Sequence, residues 1–398
     1  MGESGIHWLV LALAFGVGLI LGAVMARTNF CTMGAVSDWV NMGDTGRVRA
    51  WGLAIAVAIA GLLALQAAGV VSLPRDTLPP YRTTEFAWLR YVLGGVMFGI
   101  GMTLASGCGS RTVVRIGGGN LKSVVVFAAL GGVVYLMFTT EVFNVAFMSW
   151  IGPTSIDLSR FDIQGQDLGA IAGRIAGADL AASRTVAGGA VALALFWLVL
   201  RAKEFRGNAD DVLGGTVVGL AVLAGWGITA GPLGAEWREY AAFLLDRPAR
   251  VGAQSLTFVS PVGETLRYLA EPARLTLITF GVMAVLGVIL GSFLYSVASG
   301  RFRIEWFASW QDFANHVAGG VLMGFGGFLA MGCTIGQGVT GASTLALGSF
   351  LALGCMMLGS ALTMKVQYYL LEEQGFWRAL RLGLADLKLA PRPKTASV

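Results

Sequence analysis

GGVMFGIGMTLASGCGS, residues 94–110, sets one cysteine between glycines at the end of an apolar run, and GGVLMGFGGFLAMGCTI, residues 319–335, does so again. Aligned, the two share a G-x3-G-x8-C spacing: Gly95, Gly99 and Cys108 in the first, Gly320, Gly324 and Cys333 in the second. The spacing occurs twice more, at Gly18, Gly22 and Cys31, and at Gly215, Gly219 and Ile228, where isoleucine takes the cysteine slot. The residues around and after two of these cysteines, SGCGSRTVVRIGGGN and MGCTIGQGVTGAS, are too rich in glycine and polar side chains for a lipid-facing helix. Irregular backbone at membrane depth is tolerated only inside protein or along a watery cavity. Helix breaks that line such a route are therefore expected at Cys108 and Cys333. Cys355, in the apolar run LALGCMMLG, reads instead as a small packing residue.

The setting of these motifs is a membrane. The 398 residues are 56% hydrophobic and 13% charged, with a mean hydropathy of +0.71. A soluble domain is about one quarter charged. Apolar runs of about 18 residues, the length that crosses a bilayer, recur throughout. The fold class expected is an all-α polytopic membrane protein. The 57 glycines point to closely approaching helices and to helix breaks. The net charge of +5 sits in short loops between spans and implies no nucleic-acid partner. Four cysteines without a CxxC pair or a neighbouring histidine give no support to a metal site, haem or iron–sulfur cluster, and no cofactor is expected. The start, MGESGIHWLV, lacks the basic region of a cleavable signal.

Nine spans are expected, near 6–27, 51–71, 89–106, 121–142, 185–201, 212–230, 275–299, 315–332 and 344–365, separated by three long polar segments near 72–88, 143–184 and 231–274. All five lysines, Lys122, Lys203, Lys365, Lys388 and Lys394, fall on the side of the short loops and the tail. The positive-inside rule makes that side cytoplasmic, which puts the N-terminus in the periplasm and the C-terminus in the cytoplasm. The four motif copies lie in the first, third, sixth and eighth spans, the first two running inward and the last two outward. The chain thus divides into a first repeat of four spans (1–143), an outer loop and connecting span (144–211), an inverted second repeat (212–371) and a basic cytoplasmic tail (372–398). Inverted repeats place substrate near the membrane midplane, at interrupted helices.

RTNFCTMGA (27–35), ASGCGSRTVVR (105–115) and MGCTIGQGVTGASTLALGS (331–349) resemble the YeeE/YedE family of bacterial inner-membrane thiosulfate and sulfur transporters. The resemblance implies thiosulfate uptake through an hourglass of nine spans with short re-entrant helices. It also implies that Cys31, Cys108 and Cys333 line a narrow pathway, and that a cytoplasmic TusA-like sulfur-carrier protein receives the product. Thiosulfate is a dianion with one soft, weakly hydrated sulfur. A protonated thiol can donate a weak S–H bond to that sulfur and offer a polarizable neighbour, whereas a thiolate would repel the ion. The sulfonate oxygens need other donors, which helix N-termini can supply. Ser110, Arg111, Thr112, Arg115, Gln337, Thr340, Ser343 and Thr344 are the side-chain candidates, with capping or positive-inside flanking as their plainer roles. His316 reads as structural.

Moving two negative charges against the potential costs about 4.6 kcal/mol per 100 mV. No carboxylate lies well inside the nine spans, so ion coupling through hydroxyl and backbone groups, or uptake pulled by rapid consumption inside, are the two options. Other sulfur or selenium anions would suit the same lining. A membrane thiol oxidoreductase or sulfurtransferase would use the cysteines covalently, but wants an adjacent base or a resolving thiol.

Overall fold

The computed structural model describes residues 5–391; the first four residues and Lys394 of the basic tail lie outside them. Each expected span is a helix. In order these are α1 (Gly5–Thr28), α3 (Gly46–Ala67), α4 (Trp88–Leu104), α6 (Leu121–Thr139), α8 (Leu180–Leu200), α9 (Ala209–Ala230), α12 (Phe280–Ala298), α13 (Trp310–Leu329) and α14 (Leu347–Leu371). Between them lie the shorter α2 (Thr32–Ser37), α5 (Gly109–Gly117), α7 (Leu168–Ala176), α10 (Pro232–Phe243) and α11 (Ser260–Ala270), and α15 (Phe376–Asp386) follows α14. Among the described residues, eight helices are long and apolar enough to cross a membrane. The exception among the nine is α13: its 20 residues suffice in length, but Gln311, Asp312, Asn315 and His316 make its first half polar. The protein is an all-α polytopic membrane protein.

The paired glycines are where helices cross. Gly18 and Gly22 of α1 face the carbonyls of Ala284 and Val288 on α12, and Gly215 and Gly219 of α9 face those of Ala50 and Ala54 on α3. Gly95 and Gly99 of α4 face Ala352 and Met356 on α14, and Gly320 and Gly324 of α13 face Val126 and Leu130 on α6. A Cβ on any of the eight would fall within 3.0 Å of a carbonyl oxygen. Each pair thus straddles two carbonyls one helical turn apart. In lipid no hydrophobic force drives helices together, so close backbone approach supplies the attraction. α4 also crosses α13 glycine against glycine, Gly94 on Gly326 and Gly101 on Gly319.

Two of the long polar segments do not simply lie outside. Thr77, Tyr81 and Arg82 are buried, as is the run from Gly252 to Val259. Leu78 pairs with Gln254 in an isolated bridge, and the Tyr81 hydroxyl donates to the Gly336 carbonyl at 2.7 Å. These stretches fold back between the helix ends because buried backbone finds partners there. In the remaining segment, 143–184, Gln166 to Leu168 straps onto the start of α14: Leu168 N–H donates to the Leu345 carbonyl at 3.0 Å, and Leu347 N–H to that of Gln166 at 2.8 Å. Asp167 is fully buried, caps α7 through the Ala170 N–H, and takes a two-pronged bond from Arg184 at 2.9 and 2.7 Å. Burial works against its charge, but the Arg184 bond and charge outweigh that and hold the carboxyl below the usual range. A two-residue ladder, Ile156–Asp157 against Glu85–Phe86, ties this segment to the one at 72–88.

Candidate functional site

Three of the four motif copies break their helix, and they break it in one way. Two residues before each cysteine the backbone turns left-handed, at Asn29 (φ 51°), Ser106 (φ 56°) and Met331 (φ 59°). A left-handed residue ends a helix by letting the next N–H groups reach back to its last carbonyls. Gly107 N–H returns to Met102 and Gly332 N–H to Gly327, both at 2.8 Å. The chain then restarts as a short helix, and the cysteine stands at its N-cap. The carbonyls of Cys31, Cys108 and Cys333 accept the first turn's bonds from Ala35 (3.0 Å), Thr112 (2.9 Å) and Gln337 (2.7 Å). The three short helices are α2, α5 and a helix whose π-helical turn spans Gly336–Gly341.

An N-cap side chain points at the free N–H groups of the first turn. The Gly336 N–H donates to Cys333 Sγ at 3.3 Å, whereas the Gly34 and Arg111 N–H groups lie near the sulfurs of Cys31 and Cys108 without a capping hydrogen bond. The three sulfurs share one buried neighbourhood: Cys31 and Cys108 interact side chain to side chain, and Cys333 Cβ lies 3.9 Å from where a Cβ would stand on Gly109. None is in a disulfide, and their exposures are 6%, 0% and 0%. Cys355 is apart from them on α14, packed against Gly95.

The structure sorts the other candidates. Ser110 is buried with its hydroxyl 3.3 Å from Cys108 Sγ. Arg111 interacts with Cys31 and Cys108, donates to Asn29 Oδ1 at 2.9 Å and lines a cavity of about 460 Å³. Arg115, Arg301 and Arg303 line the same cavity, with Glu305 as its carboxylate. Thr112, Thr340, Ser343 and Thr344 are buried but donate to backbone carbonyls, those of Cys108, Leu256, Thr340 and Gly341. Gln337 donates to the Ala330 carbonyl and accepts from Ser349 Oγ at 2.6 Å. These five hold the breaks together. His316 is structural in the same sense, bonded to Asp312, which also pairs with Lys122 at 2.7 Å.

Three hydroxyls were not singled out by spacing. Among the described residues, Thr32, Thr334 and Thr257 are buried with no nitrogen or oxygen partner. Thr334 stands beside the Cys108 sulfur, and Thr257 against Gly336. Two follow a cysteine directly, in Cys31-Thr32 and Cys333-Thr334, a repeated dipeptide that is visible in the sequence. Thr257 had no such signal, because its segment reads as an outer loop.

In the fourth copy the site is absent. Helix α9 runs on through half-buried Ile228 to Ala230, and the next helix starts at Gly231-Pro232.

Interrupted helices that bring buried thiols and arginines together within a polytopic bundle define a membrane protein built to pass a small polar solute. The chain belongs to the sulphur transport family, whose match covers residues 27–362. It is similar to the thiosulfate transporter TsuA of Escherichia coli, at 26% identity over 363 residues, covering 86% of this chain and 90% of that one. It is also similar to the thiosulfate transporter TsuA of Spirochaeta thermophila, at 25% identity over 329 residues, with 82% and 89% covered.

Proposed function

We propose that this protein takes up thiosulfate into the bacterial cytoplasm through a pathway on which Cys31, Cys108 and Cys333, as protonated thiols, form successive weak sites. The observation that carries this reading is the gathering of three buried thiols, each at the start of a short helix that follows a break. The soft terminal sulfur of the dianion takes the weak S–H contact of a thiol. The unpaired Thr32, Thr257 and Thr334 hydroxyls, the Ser110 hydroxyl and the short-helix N-termini suit the sulfonate oxygens. Several weak contacts in succession let an ion enter and leave, where one strong site would trap it.

The basic cavity at Arg111 is the inner end of the route. It holds four arginines against one glutamate. By the lysine bias, this face is cytoplasmic in the inner membrane, with the N-terminus periplasmic. Membrane lipid surrounds the bundle, and a TusA-like carrier that consumes the product inside would draw uptake forward. The matched crossings support two inverted halves, 1–143 and 212–371, joined by 144–211 and followed by the basic tail 372–398: α1 meets α12 as α9 meets α3, and α4 meets α14 as α13 meets α6.

Uptake of sulfur-labelled thiosulfate by proteoliposomes, with sulfate and selenite as competitors, tests the substrate. Saturable uptake that selenite displaces better than thiosulfate itself would reassign it. The Cys31–Cys108 contact favours one second reading, covalent handling of sulfur at that pair. Mass spectrometry after exposure to thiosulfate separates the two: a persulfide on either cysteine supports the covalent reading, and unmodified thiols support transfer by weak contacts.

A further inference from the structure

Every interrupted helix has two ends at membrane depth. The short helix presents its positive N-terminus, which suits an anion, but the long helix before it presents a negative C-terminus, which does not. The structure places an arginine on two such negative ends, and a third on the end of the unbroken α9. Arg115 Nη1 donates to the Ser106 carbonyl at 2.8 Å, two residues before Cys108. Arg90 Nε donates to the Leu329 carbonyl at 2.8 Å and its Nη2 to that of Phe328 at 3.4 Å, just before Cys333. Arg238 Nη1 donates to the Thr229 carbonyl at 2.6 Å, at the end of α9, where no cysteine stands. Among the described residues none of the three makes an ion pair with a carboxylate, although Arg27, Arg47, Arg184 and Arg250 all do.

Orphan carbonyls need donors whatever the protein does. A neutral donor would meet that need: at the end of α13, Gln337 caps the Ala330 carbonyl beside the two that Arg90 takes. The positive charge is therefore surplus to hydrogen bonding. A helix C-terminus carries about half a negative charge, so an arginine on it leaves about half a positive one.

We propose that Arg90 and Arg115 are specificity-determining residues, converting the two helix ends nearest Cys333 and Cys108 from repelling to attracting a dianion. Arg238 makes the same bond at an end without a thiol and has only the structural role. The proposal rests on the reading of the protein as a thiosulfate carrier.

The test is initial-rate uptake by proteoliposomes of the full chain, as a function of thiosulfate concentration, for the Gln and Lys variants of Arg90 and Arg115 and for Arg238→Gln, with thermal stability measured alongside. Arg90→Gln and Arg115→Gln are expected to raise KM about tenfold, and the Lys variants to recover most of that. Arg238→Gln is expected to lose thermal stability and keep the wild-type KM. If a Gln variant does not fold, Arg115→His supplies the comparison in one folded sample: its KM should rise between about pH 6 and about pH 8 as the imidazole loses its charge, beyond any change in the wild type. Wild-type KM in the Gln variants, equal losses in Gln and Lys, or a flat His profile overturns the proposal. Wild-type vesicles that take up no thiosulfate overturn the substrate reading, and the proposal with it.

Discussion

Helices α4 and α9 begin alike and end differently. Both carry two glycines one turn apart, and both lay them on the backbone carbonyls of a neighbour. Nine residues after the second glycine α4 has already stopped, with Cys108 at the cap of a new helix, whereas α9 passes Ile228 still helical. The glycine pair is thus a crossing signal common to all four copies. The site needs a second ingredient, a left-handed residue two places before the cap, and only three copies have it. What the comparison teaches is that packing and function are separate instructions written side by side.

The largest effect that bears on this division is loss of the caps. Alanine at Cys31, Cys108 or Cys333 is expected to abolish or sharply reduce thiosulfate uptake, with membrane insertion intact. Alanine at Cys355 should leave uptake unchanged. Uptake near wild type in all three variants would remove the distinction between broken and unbroken copies.

Next comes the strap over the third break. Asp167→Asn leaves Arg184 without its partner and should cost about 3 kcal/mol, read as a lower midpoint of thermal unfolding in detergent. Because the folded carboxyl titrates below its usual range, its contribution is present above about pH 4 and is lost as the pH falls further. An Asn variant as stable as wild type at neutral pH, and no less so in acid, would show that the strap is not held by this pair.

A smaller effect tests the crossing itself. Gly99→Ala puts a methyl into the Met356 carbonyl and should cost about 1–3 kcal/mol. Gly227→Ala on α9 meets nothing within 4 Å and should stabilise by up to about 1 kcal/mol. Equal behaviour of the two would mean that the glycines are not crossing points. The smallest effect is expected from Ile228→Cys, which supplies the missing thiol without a break. It should neither speed uptake nor change KM in vesicles, and a gain would show that the residue, rather than the cap, makes the site.

Much of this was legible beforehand, and the reason differs by feature. Helix number and the cysteine breaks follow from apolar run length and from glycine and polar residues crowding the caps, both properties of neighbouring residues. The hydroxyls of Thr112, Thr340, Ser343 and Thr344 looked like substrate donors because their carbonyl partners are set by the fold, one of them 84 residues away. Thr257 was hidden because a polar segment between spans reads as an outer loop, whereas here its backbone finds partners among helix ends. Arg90 carries no signal in the sequence, since its acceptor lies 239 residues on.

The sequence by itself determined the membrane, the spacing of the crossings and the helix breaks at Cys108 and Cys333, because each depends on side-chain size, polarity and backbone freedom within a turn or two of chain. Only the tertiary structure decided that the three caps share one buried neighbourhood, that α9 stays whole and that arginines sit on helix ends. Those outcomes depend on which distant carbonyls and sulfurs come within reach, and local chemistry cannot specify a partner several helices away.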